Sequence, residues 1–415
     1  MTKENKIAII GLGYVGLPLA IAFSKYYKVI GFDIDSNRVQ ELNNAVDSNG
    51  DISFQINNNI KFTDQEKDLV LPNVYIITVP TPVTANNIPD LSLVENATNM
   101  VANYLRKGDL VIYESTVYPG VTEEICVPIL EKGSGMKYNV DFYCGYSPER
   151  ISPGSGKYNL QNVVKITSGS NDDIAHEVDQ LYKKVITAGT YKAPSIKVAE
   201  AAKVVENTQR DVNIALMNEL AMMFDKMHIE TTEVLKAAKT KWNFLDFRPG
   251  LVGGHCIGVD PYYLLHKSEE SGYKPTLLYS SREINNSVAS FIVKKTIELM
   301  LEAGKIIKGS SILLLGYTFK ENCADTRNTK VKDIITRLES VSCNVSVYDP
   351  YINATNDNKF ILDPLDSDKK YDAIIAAVAH DEFLTYSIDD FCSLSKGKLV
   401  FLDLKGIYAE STWKL

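Results

Sequence analysis

The sequence predicts an α/β protein built of two doubly wound parallel-sheet modules joined by a long central helix. Three observations predict it. Short apolar runs alternate with helical stretches near both ends of the chain, the grammar of βαβ units. Gly11-Leu12-Gly13-Tyr14-Val15-Gly16 directly follows the first apolar run and opens the first helical stretch. Between the two ends, Ser195 to Asp225 holds one helical pattern with neither Gly nor Pro.

Taken in order, Lys6–Ile10 reads as a buried parallel strand, and Leu17–Lys25 shows helical spacing. Lys28–Asp33 is a second buried strand ending in an acid, and Val74–Val79 and Leu110–Glu114 are further strands that stop where polar or Pro-containing loops begin. The long pattern, with 198–224 as its core, places apolar residues at spacings of three and four. A second helical stretch runs over Ser287–Ala303. The opening grammar then returns: Ser311–Leu315 is a strand closed by Gly316, Lys330–Leu338 is helical, Asn344–Tyr348 is a strand followed by Asp349, and Ala373–Val378 and Leu399–Leu402 are strands. This second module lacks the three-glycine signature. The expected domains are residues 1–194, a dinucleotide-binding module; 195–303, a central helical domain; and 304–415, a second nucleotide-handling module.

Composition narrows the function. The chain has 415 residues, 45% hydrophobic and 23% charged, as in a globular protein of two or three domains. A formal net charge of −8 argues against nucleic acid or an anionic membrane as the main partner. None of the six cysteines falls in a C-x-x-C pair and only five histidines are present, so no metal site is expected. The apolar stretch 7–23 resembles a signal peptide, but its three glycines belong to a dinucleotide turn. No run approaches the ~18–20 apolar residues of a membrane span, and a cytoplasmic location is expected.

Gly11, Gly13 and Gly16 stand in the context their chemistry needs. Gly11 permits the tight turn, Gly13 lets the backbone approach a pyrophosphate, and Gly16 lets helix and strand pack closely, as in a Rossmann-like module. The helix N-terminus offers N–H groups and partial positive charge to the phosphates. Asp33, about 22 residues past Gly11, can accept bonds from both adenosine ribose hydroxyls and repels a 2′-phosphate, which favours NAD over NADP. Arg38 either lies over the adenine or is a solvated helix residue.

Cys256 sits in 250-GLVGGHCIGVDPYYL-264, where Gly250, Gly253, Gly254 and Gly258 predict a shaped loop that admits a ligand. A free cysteine packing as a small hydrophobe is the competing reading. His255 beside it and Asp260 four residues on favour a reactive thiol. Lys203 and Asn207 lie four apart, on one face of the long helix. Ala199, Ala201, Ala202, Val204 and Val205 surround the lysine, and a partly desolvated ammonium stabilises a developing oxyanion.

With these residues assembled, the chain resembles the UDP-glucose/GDP-mannose dehydrogenase family over essentially its full length. The match rests on IAIIGLGYVGLPLA at the start, VPTP at 79–82, ESTVYPG at 114–120, SPER at 147–150, VAEAAKVVENTQRDVNIALMNELA from 198, GGHCIGVDPYYL from 253 and GYTFKENCADTRNTKV from 316. Within the family it looks closest to the branch oxidising UDP-N-acetylglucosamine or UDP-N-acetylgalactosamine for capsule and O-antigen sugars. Pro153 stands where UDP-glucose enzymes carry a second glutamate, and Gly258-Val259 where they carry Pro-Lys.

The resemblance implies a cofactor site of Gly11, Gly13, Tyr14, Val15, Gly16, Asp33, Arg38, Pro80, Thr81 and Thr116. It implies substrate contacts from Glu149, Arg150, Lys203, Asn207, Arg248, Gly254, Lys320 and Lys405. The C-terminal module would take the UDP end, the sugar would lie beside the nicotinamide, and the long helix would form a homodimer. The implied reaction is a four-electron oxidation using two NAD⁺: water held by Asp260 and Thr116 takes the C6 hydroxyl proton, Cys256 attacks the aldehyde, and Lys203 and Asn207 stabilise the oxygen. Water activated near Asp260 or Glu149 then hydrolyses the thioester. The competing readings are a UDP-N-acetylmannosamine or UDP-glucose enzyme, a two-electron hydroxyacid dehydrogenase, and a dinucleotide-sensing protein without catalysis.

Overall fold

The computed structural model describes residues 5–48, 53–151, 159–352 and 358–415. Pro153 lies outside the described residues. The chain divides into two compact units, Met1–Glu206 with Tyr262–Tyr273, and Asn207–Pro261 with Lys274–Leu415.

In the first unit, strands β1 (Lys6–Ile10), β2 (Lys28–Phe32), β3 (Ile60–Thr63), β4 (Val74–Ile77), β5 (Asp109–Tyr113), β6 (Phe142–Tyr146), β7 (Lys165–Gly169) and β8 (Thr190–Lys192) form one sheet in the order β3-β2-β1-β4-β5-β6-β7-β8. All pairs are parallel except β6 with β7. Helices α1 (Gly16–Ser24), α2 (Ser36–Asn43), α3 (Ser92–Ala102), α4 (Val127–Ser134) and α5 (Asp172–Lys183) connect the strands. The central strands β1, β4 and β5 are mostly apolar and buried, as parallel strands covered on both faces are. Ile7, Ile9, Phe23, Ile76, Ile112, Val178 and Tyr182 are in the buried core. Because β1 has β2 on one side and β4 on the other, the chain reverses its winding there, which opens a crevice at the strand C-termini where ligands bind in such sheets.

Helix α6 (Ile196–Met227) holds 32 residues, and at ~1.5 Å each it is about 48 Å long. It is followed by α7 (Thr231–Lys239), α8 (Asp260–Glu270) and α9 (Thr276–Glu302). Helix α9 begins earlier than its apolar periodicity predicts, because its first turns bury polar side chains. Arg282 and Asn285 bind Asp211 Oδ1 at 2.5 and 2.7 Å, and Asn218 bonds Asn285 at 2.8 Å.

The second unit's sheet comprises β9 (Ser311–Leu315), β10 (Asn344–Tyr348), β11 (Ala373–Ala376), β12 (Phe401–Asp403) and β13 (Trp413–Lys414), with α10 (Val331–Ser340) and α11 (Ile388–Leu394). Its order, β10-β9-β11-β12-β13, is parallel throughout and places the reversal at β9. Ile312, Leu314, Ile334, Val347 and Ile375 fill one face, and Leu313, Ile374, Phe391 and Phe401 the other. Among the described residues no helix is long and apolar enough to cross a membrane.

Candidate functional site

At the reversal in the first sheet, Gly11 takes φ +94° and donates its N–H to Phe32 O at 2.8 Å. A Cβ on Gly16 would lie 1.9 Å from the Gly11 carbonyl oxygen and 2.6 Å from Thr78 Oγ1, so only glycine lets α1 start here. A Cβ on Gly13 would meet nothing within 4 Å, and that is the open side a pyrophosphate needs. No side chain caps the first turn of α1, which leaves its N-terminal end to a ligand. Asp33 accepts the Leu12 N–H at 2.8 Å and the Asp35 N–H at 3.0 Å, and its half-buried carboxylate retains lone pairs for a diol. These features fit NAD. Arg38 is held in place: Nε donates to Leu12 O at 3.1 Å and the guanidinium pairs with Asp47 at 2.7 Å, so it braces the glycine turn.

The segments 79–82 and 114–120 leave the ends of β4 and β5. Ser115 Oγ donates to Val79 O at 2.7 Å, and Tyr263 OH donates to Thr81 O at 2.9 Å and Pro82 O at 3.3 Å, fixing the loop of Pro80 and Thr81. Thr116 is half-buried in the second segment. Fully buried Glu200 of α6 accepts the N–H groups of Gly120 and Thr122 at 2.6 and 3.0 Å. Burial pushes its carboxyl up to about 7 against those bonds.

Below the 147–150 segment lies a buried ionic cluster. Lys165 Nζ binds Glu114 at 2.6 Å and the Pro148 carbonyl at 2.9 Å, and Tyr182 OH donates to the other Glu114 oxygen. Glu149, 5% exposed, has Oε2 3.5 Å from Lys203 Nζ. Its Oε1 has no hydrogen-bond partner among the described residues, and Glu149 lines a small pocket with Val15, Glu114, Arg150, Leu160 and Lys165. Arg150 pairs with Glu206 at 2.8 Å and donates to Val164 O.

In the second unit, residues 254–259 form turns that lead straight into α8, and Cys256 is half-buried there. Its carbonyl accepts the Val259 and Asp260 N–H groups at 3.1 and 2.8 Å. Asn207 Nδ2 donates to Asp260 Oδ2 at 2.6 Å, with both side chains buried. Asn218 grips Gly250 through both its N–H (2.7 Å) and its C=O (3.1 Å). Gly254 takes φ +80°, and a Cβ there would come 2.7 Å from the Phe319 ring. Lys320 places its ammonium 5.6 Å from the centre of the Phe319 ring. A Cβ on Gly250 would lie 4.0 Å from Lys405 Nζ, whereas Arg248 is exposed and pairs with Asp246 at 3.1 Å. Beside the thiol residue, His255 Nε2 is 2.7 Å from Asp325 Oδ2. Burial works to raise the Asp325 carboxyl, but hydrogen bonds from His255 and Arg327 outweigh it and hold the group well below the usual carboxylate range.

Sequence reasoning missed several of these groups. Tyr263, Glu114 and Asp325 lie inside quoted motifs, yet their partners are 182, 51 and 70 residues away in sequence. Among the described residues no group of three His, Cys, Asp or Glu side chains could hold a metal ion.

A dinucleotide turn, a second nucleotide-type module and a thiol on a glycine loop define an NAD-dependent oxidoreductase with a nucleotide-bearing substrate. The chain belongs to the UDP-glucose/GDP-mannose dehydrogenase family, whose NAD binding domain matches residues 5–186, central domain 197–287 and UDP binding domain 313–410. It is 51% identical over 408 residues to the UDP-N-acetyl-D-glucosamine 6-dehydrogenase of Salmonella typhi, covering 97% of this chain and 96% of that one. It is 50% identical over 414 residues to the enzyme of that name from Pseudomonas aeruginosa, covering 98% of each. Among solved structures it is similar to the UDP-D-ManNAc dehydrogenase of Pyrococcus horikoshii, with a TM-score of 0.88, 31% identity and 99% and 98% of the two chains covered.

Proposed function

We propose that this enzyme oxidises the C6 alcohol of a UDP-N-acetylhexosamine, UDP-GlcNAc before UDP-GalNAc, to the uronate for surface polysaccharide synthesis. The two relatives near half identity carry the first sugar in their names. The observation that carries the chemistry is the Cys256 turn: the Asp260 N–H holds the Cys256 carbonyl while Asn207 holds the Asp260 carboxylate.

Gly11, Gly13, Gly16 and Asp33 would hold NAD⁺, which would supply the hydride acceptor for each of the two oxidations at C6. Asp260, with Thr116, orients the water that takes the C6 hydroxyl proton. The Cys256 thiolate adds to the aldehyde carbon, forming a C–S bond and moving the carbonyl electron pair to oxygen. Lys203 and Asn207, one turn apart on α6, stabilise that oxygen. The second oxidation leaves a thioester. Water activated by Asp260 or by the open Oε1 of Glu149 cleaves its C–S bond, returning the thiol and releasing the carboxylate. One alcohol, two NAD⁺ and one water thus give one carboxylate, two NADH and three protons. Lys320, Lys405, Arg248, Arg150 and the Gly254 backbone are assigned to the substrate, and Tyr14, Val15, Pro80, Thr81 and Arg38 to the walls of the cofactor site.

The test counts NADH per sugar with limiting UDP-GlcNAc, UDP-GalNAc, UDP-ManNAc or UDP-glucose. Two NADH from one of the first two sugars is expected. Two from either of the others overturns the substrate assignment, and one per sugar overturns the thioester. Cys256→Ser turning over to acid like the parent removes the covalent role.

Val198, Val205, Leu216, Met223 and Met227 expose an apolar stripe on α6, and we assign it to a homodimer interface. A monomer at micromolar concentration in sedimentation equilibrium would sink that assignment. The proposed location is the cytoplasm, where NAD⁺ and UDP-sugars are held. Activity recovered in another cell fraction would refute it.

A further inference from the structure

The loop that carries Cys256 is fastened, within the second unit, to residues 316–330 of the UDP module, the segment between β9 and α10. Four contacts do this. Asn328 Nδ2 donates to Gly254 O at 3.3 Å. A Cβ on Gly253 would fall 2.7 Å from the Asn328 carbonyl oxygen. The Phe319 ring packs on Gly254 and meets the His255 ring edge-on, with centroids 5.8 Å apart. His255 Nε2 lies 2.7 Å from Asp325 Oδ2. Gly253 and Gly254 therefore do more than loosen the loop: they let the two segments approach more closely than any Cβ would allow.

Asp325 is shared. Its carboxylate also holds Arg327 in a two-point pair, Nε to Oδ1 at 3.0 Å and the terminal nitrogen to Oδ2 at 2.8 Å, and Arg327 is 61% exposed. Lys320, another cation of this segment, stacks on Phe319, the ring that touches both Gly254 and His255. A diphosphate bound at this segment would draw on Arg327, which is exposed, and Lys320, which is half-buried. Any change in how Asp325 shares its charge between Arg327 and His255 is felt one residue from the thiol.

We propose that the His255–Asp325 pair couples the UDP module to Cys256, so that the nucleotide half of the substrate sets the placement of the nucleophile before the sugar reacts. His255 and Asp325 are positioning residues acting through the loop. The device rests on Cys256 being the nucleophile, and it spends nucleotide binding energy on aligning the reacting group.

The probe is UDP alone, which carries the diphosphate and no C6 alcohol. Full-length protein is alkylated with limiting iodoacetamide with and without UDP at saturation, established by calorimetry, and each cysteine is read by peptide mass spectrometry. Exposed Cys392 is the internal reference. UDP is expected to change the Cys256 rate at least about fivefold, a modest coupling between sites, with Cys392 unchanged. His255→Phe keeps the ring against Phe319 and removes the bond to Asp325; its UDP response should fall to less than about twofold while UDP still binds. Should that variant not fold, Asp325→Asn is read the same way. No UDP effect on the parent overturns the proposal. So does a variant whose thiol reactivity drops but whose UDP response is intact, the signature of a merely structural bond. The Cys256→Ser turnover assay is separate, so loss of the nucleophile assignment and loss of the coupling are told apart.

Discussion

Replacing Lys165 by Met removes a buried cation and leaves its partner. Glu114 is fully buried, Lys165 nearly so, and they meet at 2.6 Å. Burial already raises the Glu114 carboxyl above its usual range, with Lys165 and the Tyr182 hydroxyl opposing the rise. Without Lys165 that opposition is mostly gone, and the Pro148 carbonyl loses its donor as well. Breaking one side of a buried pair costs about 3–5 kcal/mol, which is roughly 150- to 5,000-fold in the opening equilibrium. The sign with pH follows from the raised carboxyl. Above about pH 4.5 the unfolded chain has released the Glu114 proton and the folded variant still holds it, so the variant loses stability as pH rises. Both tryptophans, Trp242 and Trp413, belong to the second unit, so their fluorescence is blind to this change. Amide exchange of peptides spanning β5 to β7 reads it directly. The double variant Glu114→Gln, Lys165→Met should recover most of the loss, since no charge stays unpaired. Exchange within about threefold of the parent, or a double variant no better than the single, would refute an uncompensated buried charge as the cause.

Two further outcomes follow from groups that hold the loops proposed to line the cofactor site. Tyr263→Phe removes a donor from Thr81 O and Pro82 O, worth about 1 kcal/mol, so the KM for NAD⁺ should rise about fivefold with kcat little changed; an unchanged KM in initial-rate kinetics refutes the bracing role. Glu200, raised from 4.5 to about 7 by burial, binds a proton in the folded state that the unfolded chain has lost, so stability falls as pH rises across that window, by up to ~1.4 kcal/mol per pH unit. Glu200→Gln should flatten that slope in amide exchange of residues near 120–122, and an equally steep variant would show that another group titrates there.

The strands read most plainly in the sequence were those whose burial leaves no alternative. β1, β9 and β10 lie where the apolar runs place them, because a parallel strand covered on both faces tolerates few polar residues. The missed strands β6 and β7 carry Tyr, Cys, Gly, Lys, Thr and Ser, residues that periodicity cannot assign. Lys165 shows why: a lysine inside a buried strand looks like a reason to reject the strand until its partner, 51 residues earlier, is known. The site shows the same division. Glycines, the thiol and the Lys–Asn pair announce themselves through local chemistry, whereas Asp325, Asn218 and Tyr263 act through partners that only the fold supplies.

The two modules differ in what they do with one shared device. Gly11 and Gly316 both take positive φ, +94° and +90°, and both donate their N–H at 2.8 Å to the last carbonyl of the next strand, Phe32 and Tyr348. Each strand is followed by an acid that takes the amide after the glycine: Asp33 from Leu12, Asp349 from Tyr317. Asp33 stays half-buried with lone pairs to offer. Asp349 is 3% exposed and also accepts Thr318 N–H at 3.0 Å and His380 Nε2 at 3.1 Å, so no ribose can claim it. His380 Nδ1 accepts the Asn322 N–H at 3.0 Å, which leaves the proton on Nε2, facing Asp349. In the first module the helix starts five residues after the glycine, at Gly16, because the phosphates need its N-terminus. In the second it starts only at Val331, and the residues between form the segment that carries Lys320, Asp325 and Asn328 to the Cys256 loop. The longer turn goes with an acid closed to ribose, and its added backbone is what the Cys256 loop is packed against.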